Sequence, residues 1–244
     1  MIVLPAYSTS VEFPEVSEAS AEGLLAIGGD LSPKRLVHAY RSGIFPWYND
    51  EQPILWWSPD PRTVLYPDRI KVSRSLRKSL RKSNIEVSFD RAFEDVIDAC
   101  AGPRRGDPEG QTWITWDMRR AYCRLFELGF AHSVETWVDG ELAGGLYGVS
   151  CGRLFFGESM FSRQSDTSKI ALVALTRQLS QWGFDLVDCQ LPSDHVFTLG
   201  AEEISRQQFI SAHKAAGPEL DRRGPWTLEI DWREAPEALA DSQN

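Results

Sequence analysis

The distribution of proline limits what the first quarter of this 244-residue chain can form. Eight of the 14 prolines lie within residues 1–68, at positions 5, 14, 33, 46, 53, 59, 61 and 67. Proline fixes φ and lacks a backbone N–H, so long helices and strands do not pass through such a segment. One exception follows Ser32, where Ser-Pro favours a helix start and apolar residues recur at helical spacing, which predicts a helix over 33–42. Residues 1–68 are therefore predicted to form a small, loop-rich N-terminal domain.

The composition is that of an ordinary soluble globular protein. Hydrophobic residues make up 42% of the chain and charged residues 25%, which excludes disorder or fibrous structure for the chain as a whole. The net charge of −9 argues against general adhesion to nucleic acid or anionic membranes. No run approaches the roughly 20 apolar residues of a membrane span, and the start of the chain lacks the features of a signal peptide. We expect a cytoplasmic protein with no membrane contact.

The cysteines are few and isolated. They stand singly and far apart, at Cys100, Cys123, Cys151 and Cys189. Because they show neither C-x-x-C spacing nor a neighbouring histidine, neither a disulfide framework nor a metal site is predicted.

Beyond residue 68, predicted strands and helices alternate. The predicted strands cover 85–89, 131–138, 141–150, 153–161, 185–190 and an edge strand at 225–232. The predicted helices cover 92–100, 117–128, 168–182 and 205–216, with a polar loop at 103–111 and a polar tail at 233–244. This order predicts an α/β protein with a mixed sheet and helices on both faces. It resembles the order in GNAT-type acyltransferases, so residues 69–232 are expected to form a GNAT-like catalytic domain.

A GNAT-type N-acyltransferase that uses acyl-coenzyme A is therefore the alternative enzymatic interpretation. In those enzymes a strand in the position of RLFFGESMF is followed by a loop and a helix, and this loop binds the pyrophosphate of coenzyme A. Glycines in the loop let backbone N–H groups approach the phosphates. Here the loop reads SRQSDTSK, residues 162–169, and contains no glycine. Coenzyme A binding is therefore disfavoured.

The segment 69–82, RIKVSRSLRKSLRK, holds seven basic residues and no acidic one. On a helix that begins near Ser73, four basic side chains fall on one face, and Val72, Leu76 and Leu80 form an apolar stripe opposite. The protein is acidic overall, but over a quarter of its basic residues lie in this one segment, without acidic partners. This concentration of positive charge favours contact with a polyanion over a solvated helix face.

Several sequence strings resemble those of one known family. They are GLLAIGGDLSP, SGIFPWY, ILWWSPDPR, TWIT, GGLYGV, FFGESMFSR and VDCQLPSDHVFTLGAEEISR, in this order over about residues 20–210. These strings are similar to leucyl/phenylalanyl-tRNA–protein transferases, bacterial enzymes of the N-end rule degradation pathway. The resemblance implies transfer of Leu, also Phe and less well Met, from aminoacyl-tRNA to the N-terminus of proteins that begin with Arg or Lys. It also implies a monomer.

The resemblance assigns the binding residues. Trp47 in FPWY and Trp113 in TWIT match the two indoles that stack on the terminal adenine of the tRNA. The polyanion at the basic helix would be tRNA, with contacts from Arg74, Arg77, Lys78, Arg81 and Lys82. The pocket for the Leu or Phe side chain would be formed by Leu146, Phe155, Met160, Leu172, Leu175 and Val187.

The same resemblance assigns a catalytic set of Asp188, Gln190 and Glu158. Asp188 and Gln190 are two residues apart, so on a strand both side chains point to the same face. Gln190 would contact the reacting groups and Asp188 would orient Gln190 or the amine, either by a proton relay or by positioning alone. Glu158 interrupts an apolar strand, where a carboxylate needs a partner, and would bind the substrate amine or the ribose.

The implied reaction needs no cofactor. The aminoacyl ester of a charged tRNA is already activated, and an α-amino group with a pKa of about 7.7–8.0 is partly unprotonated at neutral pH. Catalysis can therefore depend mainly on positioning two substrates. A non-enzymatic RNA-binding module is the alternative from another class, but it would leave Asp188, Gln190 and Glu158 without a role.

Overall fold

The computed structural model describes residues 2–6, 10–102, 112–217 and 220–234. Within these ranges the chain forms seven α-helices and eleven strands in two sheets. The helices are α1 (Pro33–Arg41), α2 (Arg74–Leu80), α3 (Phe93–Ala101), α4 (Trp116–Glu127), α5 (Thr167–Gln181), α6 (Asp194–Thr198) and α7 (Arg206–Ala215). The strands are β1 (Ile2–Leu4), β2 (Leu24–Gly28), β3 (Phe45–Pro46), β4 (Leu55–Trp57), β5 (Arg62–Leu65), β6 (Ile85–Phe89), β7 (Ala131–Val138), β8 (Glu141–Cys151), β9 (Leu154–Ser162), β10 (Leu186–Gln190) and β11 (Glu202–Ile204). The predicted loop at 103–111 and residues 235–244 of the predicted tail lie outside the described ranges.

Four short strands near the N-terminus form a small sheet in the order β1-β2-β4-β3. The helix predicted after Ser32 is confirmed as α1, and the Ser32 hydroxyl accepts a hydrogen bond from the Arg35 backbone N–H as a helix N-cap. Proline excludes long strands here but permits strands of two to five residues. The small sheet was therefore not predicted.

The second sheet has seven strands in the order β11-β5-β10-β9-β8-β7-β6. It is mixed, because β9 and β10 run parallel while the other neighbouring strands run antiparallel. The five predicted strands from 85 to 190 are confirmed as β6 to β10. The sequence did not predict the short strands β5 and β11, and β5 brings Arg62 into the sheet beside β10.

Helices cover both faces of this sheet, as the sequence predicts. Side chains alternate between the faces along each strand. Val134 and Leu146 pack in one apolar cluster with α2 and α5, whereas Tyr147 and Val149 pack in a second cluster with α1, α3 and α4. The mixed α/β class is confirmed.

The prediction of an edge strand at 225–232 is wrong. These residues pair with no strand in the described part of the chain and instead lie over α5 and the α5-facing side of the sheet. Their polar groups bond to side chains: the Gln178 side-chain carbonyl accepts from the Glu229 N–H at 2.7 Å, and the Arg177 guanidinium donates to the Trp232 carbonyl at 2.6 Å. The Trp226 ring stacks on His132 with centroids 3.7 Å apart. Two large indoles and a proline fit this packing better than a regular ladder does.

Candidate active site

The candidate site lies where strands β9 and β10 diverge. The two strands pair in register at Leu154–Phe156 and Leu186–Asp188, and their pairing ends there. A cavity of about 410 Å³ opens beyond this point, against α5 and α6. Its walls include all six residues predicted for the side-chain pocket, namely Leu146, Phe155, Met160, Leu172, Leu175 and Val187. Glu158, Asp188 and Trp113 also line the cavity.

A β-bulge turns Glu158 toward this opening. In the β8–β9 ladder Gly148 pairs with Gly157 and Tyr147 pairs with Ser159, so Glu158 is an extra residue without a partner on β8. Bulges of this kind re-aim a side chain and are frequent beside active sites. The apolar strand can therefore carry a carboxylate whose side chain is nine-tenths buried.

Three neutral groups surround the Glu158 carboxyl. Tyr40 in α1 donates to Oε1 at 2.8 Å, and Tyr122 in α4 donates to Oε2 at 2.7 Å. The Gln190 side-chain amide also donates to Oε1, at 3.0 Å. The two tyrosine hydroxyls contact each other as well. The Glu158 carboxyl therefore accepts three hydrogen bonds from uncharged donors.

Burial of Glu158 favours the protonated form of its carboxyl. The pKa of Glu158 rises from its usual 4.5 to about 7, because burial, together with the nearby Asp188 charge, outweighs the lowering effect of hydrogen bonds from Tyr122, Tyr40 and Gln190. A carboxyl with a pKa near neutrality can both give and accept a proton under physiological conditions. Glu158 therefore has the properties of a general acid or base.

Asp188 has the opposite environment. Its side chain is fully buried and forms a two-point ion pair with Arg62, with Nε to Oδ1 at 2.8 Å and Nη2 to Oδ2 at 2.6 Å. A bidentate guanidinium–carboxylate pair is among the strongest charged contacts in proteins. The Asp188 Oδ1 atom also accepts from the Gln190 backbone N–H at 2.8 Å.

Gln190 ends β10 in an unusual conformation. Its φ is +63°, in the left-handed region, and the β5–β10 register shifts between Asp188 and Gln190. The interpretation that both side chains follow a regular strand is therefore wrong, because the ladder is irregular between them. The structure nevertheless brings Asp188, Gln190 and Glu158 together, through the contacts described above.

The two candidate adenine-stacking indoles differ in exposure. Trp113 is partly buried and lines the cavity, whereas Trp47 is 41% exposed and is not among the lining residues. The Trp47 ring makes an edge contact with Trp57, with centroids 5.9 Å apart. Trp47 follows β3 of the small sheet and Trp113 precedes α4, so the two indoles come from different parts of the fold.

The basic segment forms α2 as predicted. Leu76 and Leu80 are buried against α5, and the five basic side chains are exposed, namely Arg74, Arg77, Lys78, Arg81 and Lys82. None of these five forms an ion pair with a residue in the described part of the chain. The Ser79 hydroxyl donates to Asp166 at the start of α5, at 2.7 Å. Because α5 forms a wall of the cavity, α2 places its free cations one helix away from the candidate site.

Sequence reasoning missed three residues of the site. Arg62 lies within the string ILWWSPDPR, where arginine after proline gave no indication of a strand. Tyr40 and Tyr122 lie on the buried faces of α1 and α4, where they read as ordinary core residues. A carboxyl buried in an apolar strand needs hydrogen-bond donors, so Glu158 was a signal to look for hydroxyl groups on the buried faces of the predicted helices.

The described residues contain neither a cluster suited to a metal ion nor a helix suited to a membrane. No group of three or more His, Cys, Asp or Glu side chains there is arranged to hold a metal ion. Among the described helices, none combines the length and the apolar character that crossing a membrane requires.

Comparison with known proteins identifies the class to which this chain belongs. Residues 64–214 match the family described as leucyl/phenylalanyl-tRNA protein transferase, and residues 29–60 match the N-terminal domain of the same family. The curated protein of that name from Nitrosospira multiformis is 56% identical over 229 residues, covering 93% of this chain and 98% of the relative. The one from Aromatoleum aromaticum is 54% identical over 229 residues, covering 93% and 96%.

This chain belongs to the leucyl/phenylalanyl-tRNA–protein transferase family. It is therefore an aminoacyltransferase, an enzyme that uses aminoacyl-tRNA. Solved structures show only remote likeness. The L-PGS of Bacillus licheniformis has a TM-score of 0.38 at 12% identity, covering 69% of this chain and 53% of that chain. A GCN5-related N-acetyltransferase from Kribbella flavida has a TM-score of 0.33 at 13% identity, covering 68% and 58%. At these scores the expected GNAT-like domain stays a prediction.

Proposed function

We propose that this enzyme transfers Leu, also Phe and less well Met, from aminoacyl-tRNA to the α-amino group of proteins that begin with Arg or Lys. The transfer would mark those proteins for N-end rule degradation in the cytoplasm, and the enzyme would act as a monomer without a cofactor. The observation that carries the proposal is an apolar cavity lined at one side by the buried Glu158 carboxyl. Such a site can bind an aminoacyl side chain next to a group able to accept a proton from the attacking amine.

The cavity suits the side chain of the donor amino acid. Its predicted pocket residues are apolar, and Phe155, Leu172 and Leu175 are almost completely buried. An apolar wall provides about 25 cal/mol per Å² of apolar surface removed from water. Leu, Phe and Met are unbranched at Cβ and can extend into a pocket of this kind, whereas the early branching of Val and Ile would bring a methyl group against the pocket entrance.

The terminal adenosine would bind beside the pocket. Trp113, which lines the cavity, would stack on the adenine, and the exposed Trp47 would supply a second ring. Stacking of this kind contributes about 1–3 kcal/mol per base. The tRNA stem would then meet the free cations of α2, which neutralise phosphate charge and make binding salt-dependent.

Glu158 would handle the proton of the attacking amine. The amine nitrogen bonds to the ester carbonyl carbon, and the bond from that carbon to the ribose oxygen breaks. One amine proton moves to the ionised Glu158 carboxylate and is then returned to the ribose oxygen as it leaves. The pKa of about 7 lies close to that of an α-amino group, which favours transfer in both directions. The Gln190 amide, which lies against the same carboxylate, would contact the reacting groups.

The test is transfer of radiolabelled Leu from Leu-tRNA to two peptides that differ only in an N-terminal Arg or Ala. The enzyme is compared with Glu158→Gln, which keeps the shape of the side chain. The matched control is Glu135→Gln. Glu135 is also a fully buried carboxyl with a raised pKa and hydroxyl donors, Ser88 at 2.6 Å and Ser133 at 2.5 Å, but it does not line the cavity.

The expected result is label on the Arg peptide alone, lost in Glu158→Gln and kept in Glu135→Gln. Equal labelling of both peptides would contradict the acceptor rule. No labelling by the wild type, together with acyl transfer from acyl-coenzyme A, would favour the GNAT-type alternative. Tight tRNA binding without any transfer would favour an RNA-binding module.

A further inference from the structure

Arg62 is a buried cation beneath the candidate active site. Its side chain is 1% exposed, and it contacts groups from three different elements besides its own strand. The guanidinium makes two hydrogen bonds to Asp188 in β10, at 2.8 and 2.6 Å. Its central carbon lies 4.8 Å from the ring centroid of Phe45 in β3 and 4.6 Å from that of Phe209 in α7. A guanidinium held between two rings and a carboxylate has a fixed position.

That fixed position extends to the reacting groups through a continuous series of contacts. The Asp188 Oδ1 atom bonded to Arg62 also accepts from the Gln190 backbone N–H. This bond spans the irregular point of β10, where Gln190 has its φ of +63°. A non-glycine residue keeps such a conformation only when its surroundings impose it. With its backbone in this state, Gln190 places its side-chain amide 3.0 Å from Glu158.

We propose that Arg62 is a positioning residue for the transfer reaction. It fixes the Asp188 carboxylate, the carboxylate holds Gln190 in the left-handed conformation, and this conformation directs the Gln190 amide to Glu158 and the reacting groups. Both Asp188 oxygens accept hydrogen bonds from the guanidinium, so the carboxylate acts as a fixed anchor for Gln190. The inference rests on the proposed function and decides between a proton relay and positioning at Asp188.

The geometry requires arginine and not merely a positive charge. The planar guanidinium matches the two carboxylate oxygens at once and stacks between aromatic rings, whereas an ammonium is a single charged point. Lysine at position 62 would keep the charge but lose the two-point contact. The Asp188 carboxylate would then be free to rotate, and Gln190 would lose its fixed acceptor.

The first test is Arg62→Lys, with Arg35→Lys as the matched control. Arg35 is equally buried at 1% exposure, bonds to Asp30 at 3.3 Å and lies 6.0 Å from the Phe13 ring, but it contacts no residue of the site. We expect kcat to fall at least tenfold in Arg62→Lys, with KM for Leu-tRNA within twofold of wild type. Arg35→Lys should keep the wild-type kcat. An unchanged kcat in a folded Arg62→Lys enzyme overturns the proposal.

A second variant covers the case in which Arg62→Lys does not fold. The pair Arg62→Met and Asp188→Asn removes both charges together, so no buried charge is left alone. The Asn side chain can still accept from the Gln190 N–H but is no longer anchored. We expect this double variant to fold and to lose kcat at least tenfold with little change in KM. Wild-type kcat in the double variant would overturn the proposal.

Hydrogen exchange of the Gln190 backbone amide, measured by NMR, separates this proposal from the proposed function. The amide should exchange slowly in the wild type and at least tenfold faster in Arg62→Lys, whichever substrate the enzyme uses. Equal protection in both proteins contradicts the positioning role of Arg62. Absence of Leu transfer by the wild type, with the expected difference in exchange, contradicts the proposed function instead.

Discussion

Strands β9 and β10 each carry a buried carboxyl to the same opening, and the two carboxyls have opposite surroundings. Among the described residues, the hydrogen-bond donors to Glu158 on β9 are all neutral, and the pKa of Glu158 rises to about 7. Asp188 on β10 meets a guanidinium that occupies both of its oxygens. We propose that this difference separates two roles: Glu158, which has no cation beside it, exchanges a proton, and Asp188, which is held in a two-point ion pair, serves as a structural anchor.

The largest expected effect is the loss of stability when Asp188, the ion-pair partner of Arg62, is replaced. Asp188→Asn leaves the Arg62 charge buried without its counterion, and breaking a buried ion pair in this way costs about 3–5 kcal/mol of stability. Glu158→Gln keeps a neutral group of the same shape and should change the free energy of unfolding at pH 7 by no more than about 1 kcal/mol. Urea unfolding of both variants measures the difference. Equal losses of unfolding free energy in the two variants would contradict the proposed difference between Asp188 and Glu158.

The next effect is the pH dependence of stability. The folded-state pKa of Glu158, about 7, lies above its ordinary value of 4.5, so the folded protein holds this proton more tightly than the unfolded chain does. This stabilisation is complete below pH 4.5 and is lost as the pH rises to about 7, by an amount on the order of 3 kcal/mol.

Unfolding free energies of the wild type and Glu158→Gln, compared from pH 4.5 to 8, isolate this contribution. The difference between the two proteins should change mainly between pH 4.5 and 7 and level off by about pH 8. A difference that does not vary with pH would mean that Glu158 does not titrate as its environment indicates.

Substitutions outside the two strands should affect substrate binding without altering either carboxyl. Trp113→Ala removes the predicted stacking ring, and we expect KM for Leu-tRNA to rise by roughly 5- to 150-fold, corresponding to about 1–3 kcal/mol. Trp116→Ala is the matched control, because this indole is three residues away, 67% exposed and absent from the cavity wall. Equal effects of the two substitutions would place the adenine elsewhere.

The smallest effect at physiological salt is expected at α2. Changing Arg77, Lys78 and Arg81 together to Ala should raise KM for Leu-tRNA and reduce the slope of log K against log salt, by up to about 0.9 for each phosphate that is no longer neutralised. A triple variant of Arg91, Arg124 and Arg153 is the control, because each of these already pairs with a carboxylate. The same salt dependence in both variants would mean that α2 is a solvated helix face and does not contact the tRNA.

Much of the fold could be predicted because it follows from local patterns. The strands β6 to β10 and helices α1 to α5 and α7 carry apolar periodicity that identifies them individually. The strands β5 and β11 have only three or four residues, and they exist because the sheet beside them offers a partner. The segment 225–232 has the apolar residues of a strand but no strand pairing in the described structure. Its apolar side chains, among them Trp226 and Trp232, pack into the core instead.

The residues of the candidate site also divide into those that the sequence singles out and those that it does not. The strings FFGESMFSR and VDCQL contain the predicted catalytic residues and three of the six predicted pocket residues, and those roles stay predictions. Arg62, Tyr40 and Tyr122 were not singled out, because their roles depend on contacts across 36 to 126 residues of sequence. Sequence shows that Glu158 and Asp188 are present, but only their neighbours in space show that one is suited to exchange a proton and the other to hold a position.

The most direct test of this account is the single-turnover rate of Leu transfer from Leu-tRNA to an Arg peptide, measured at saturating substrates and pH 8. At this pH the Glu158 carboxyl is ionised and the acceptor amine is largely free. We expect Glu158→Gln to be at least about 100-fold slower than the wild type, the contribution of one general acid–base group, with unchanged stability and with Glu135→Gln at the wild-type rate. A Glu158→Gln rate within twofold of the wild type would contradict the account.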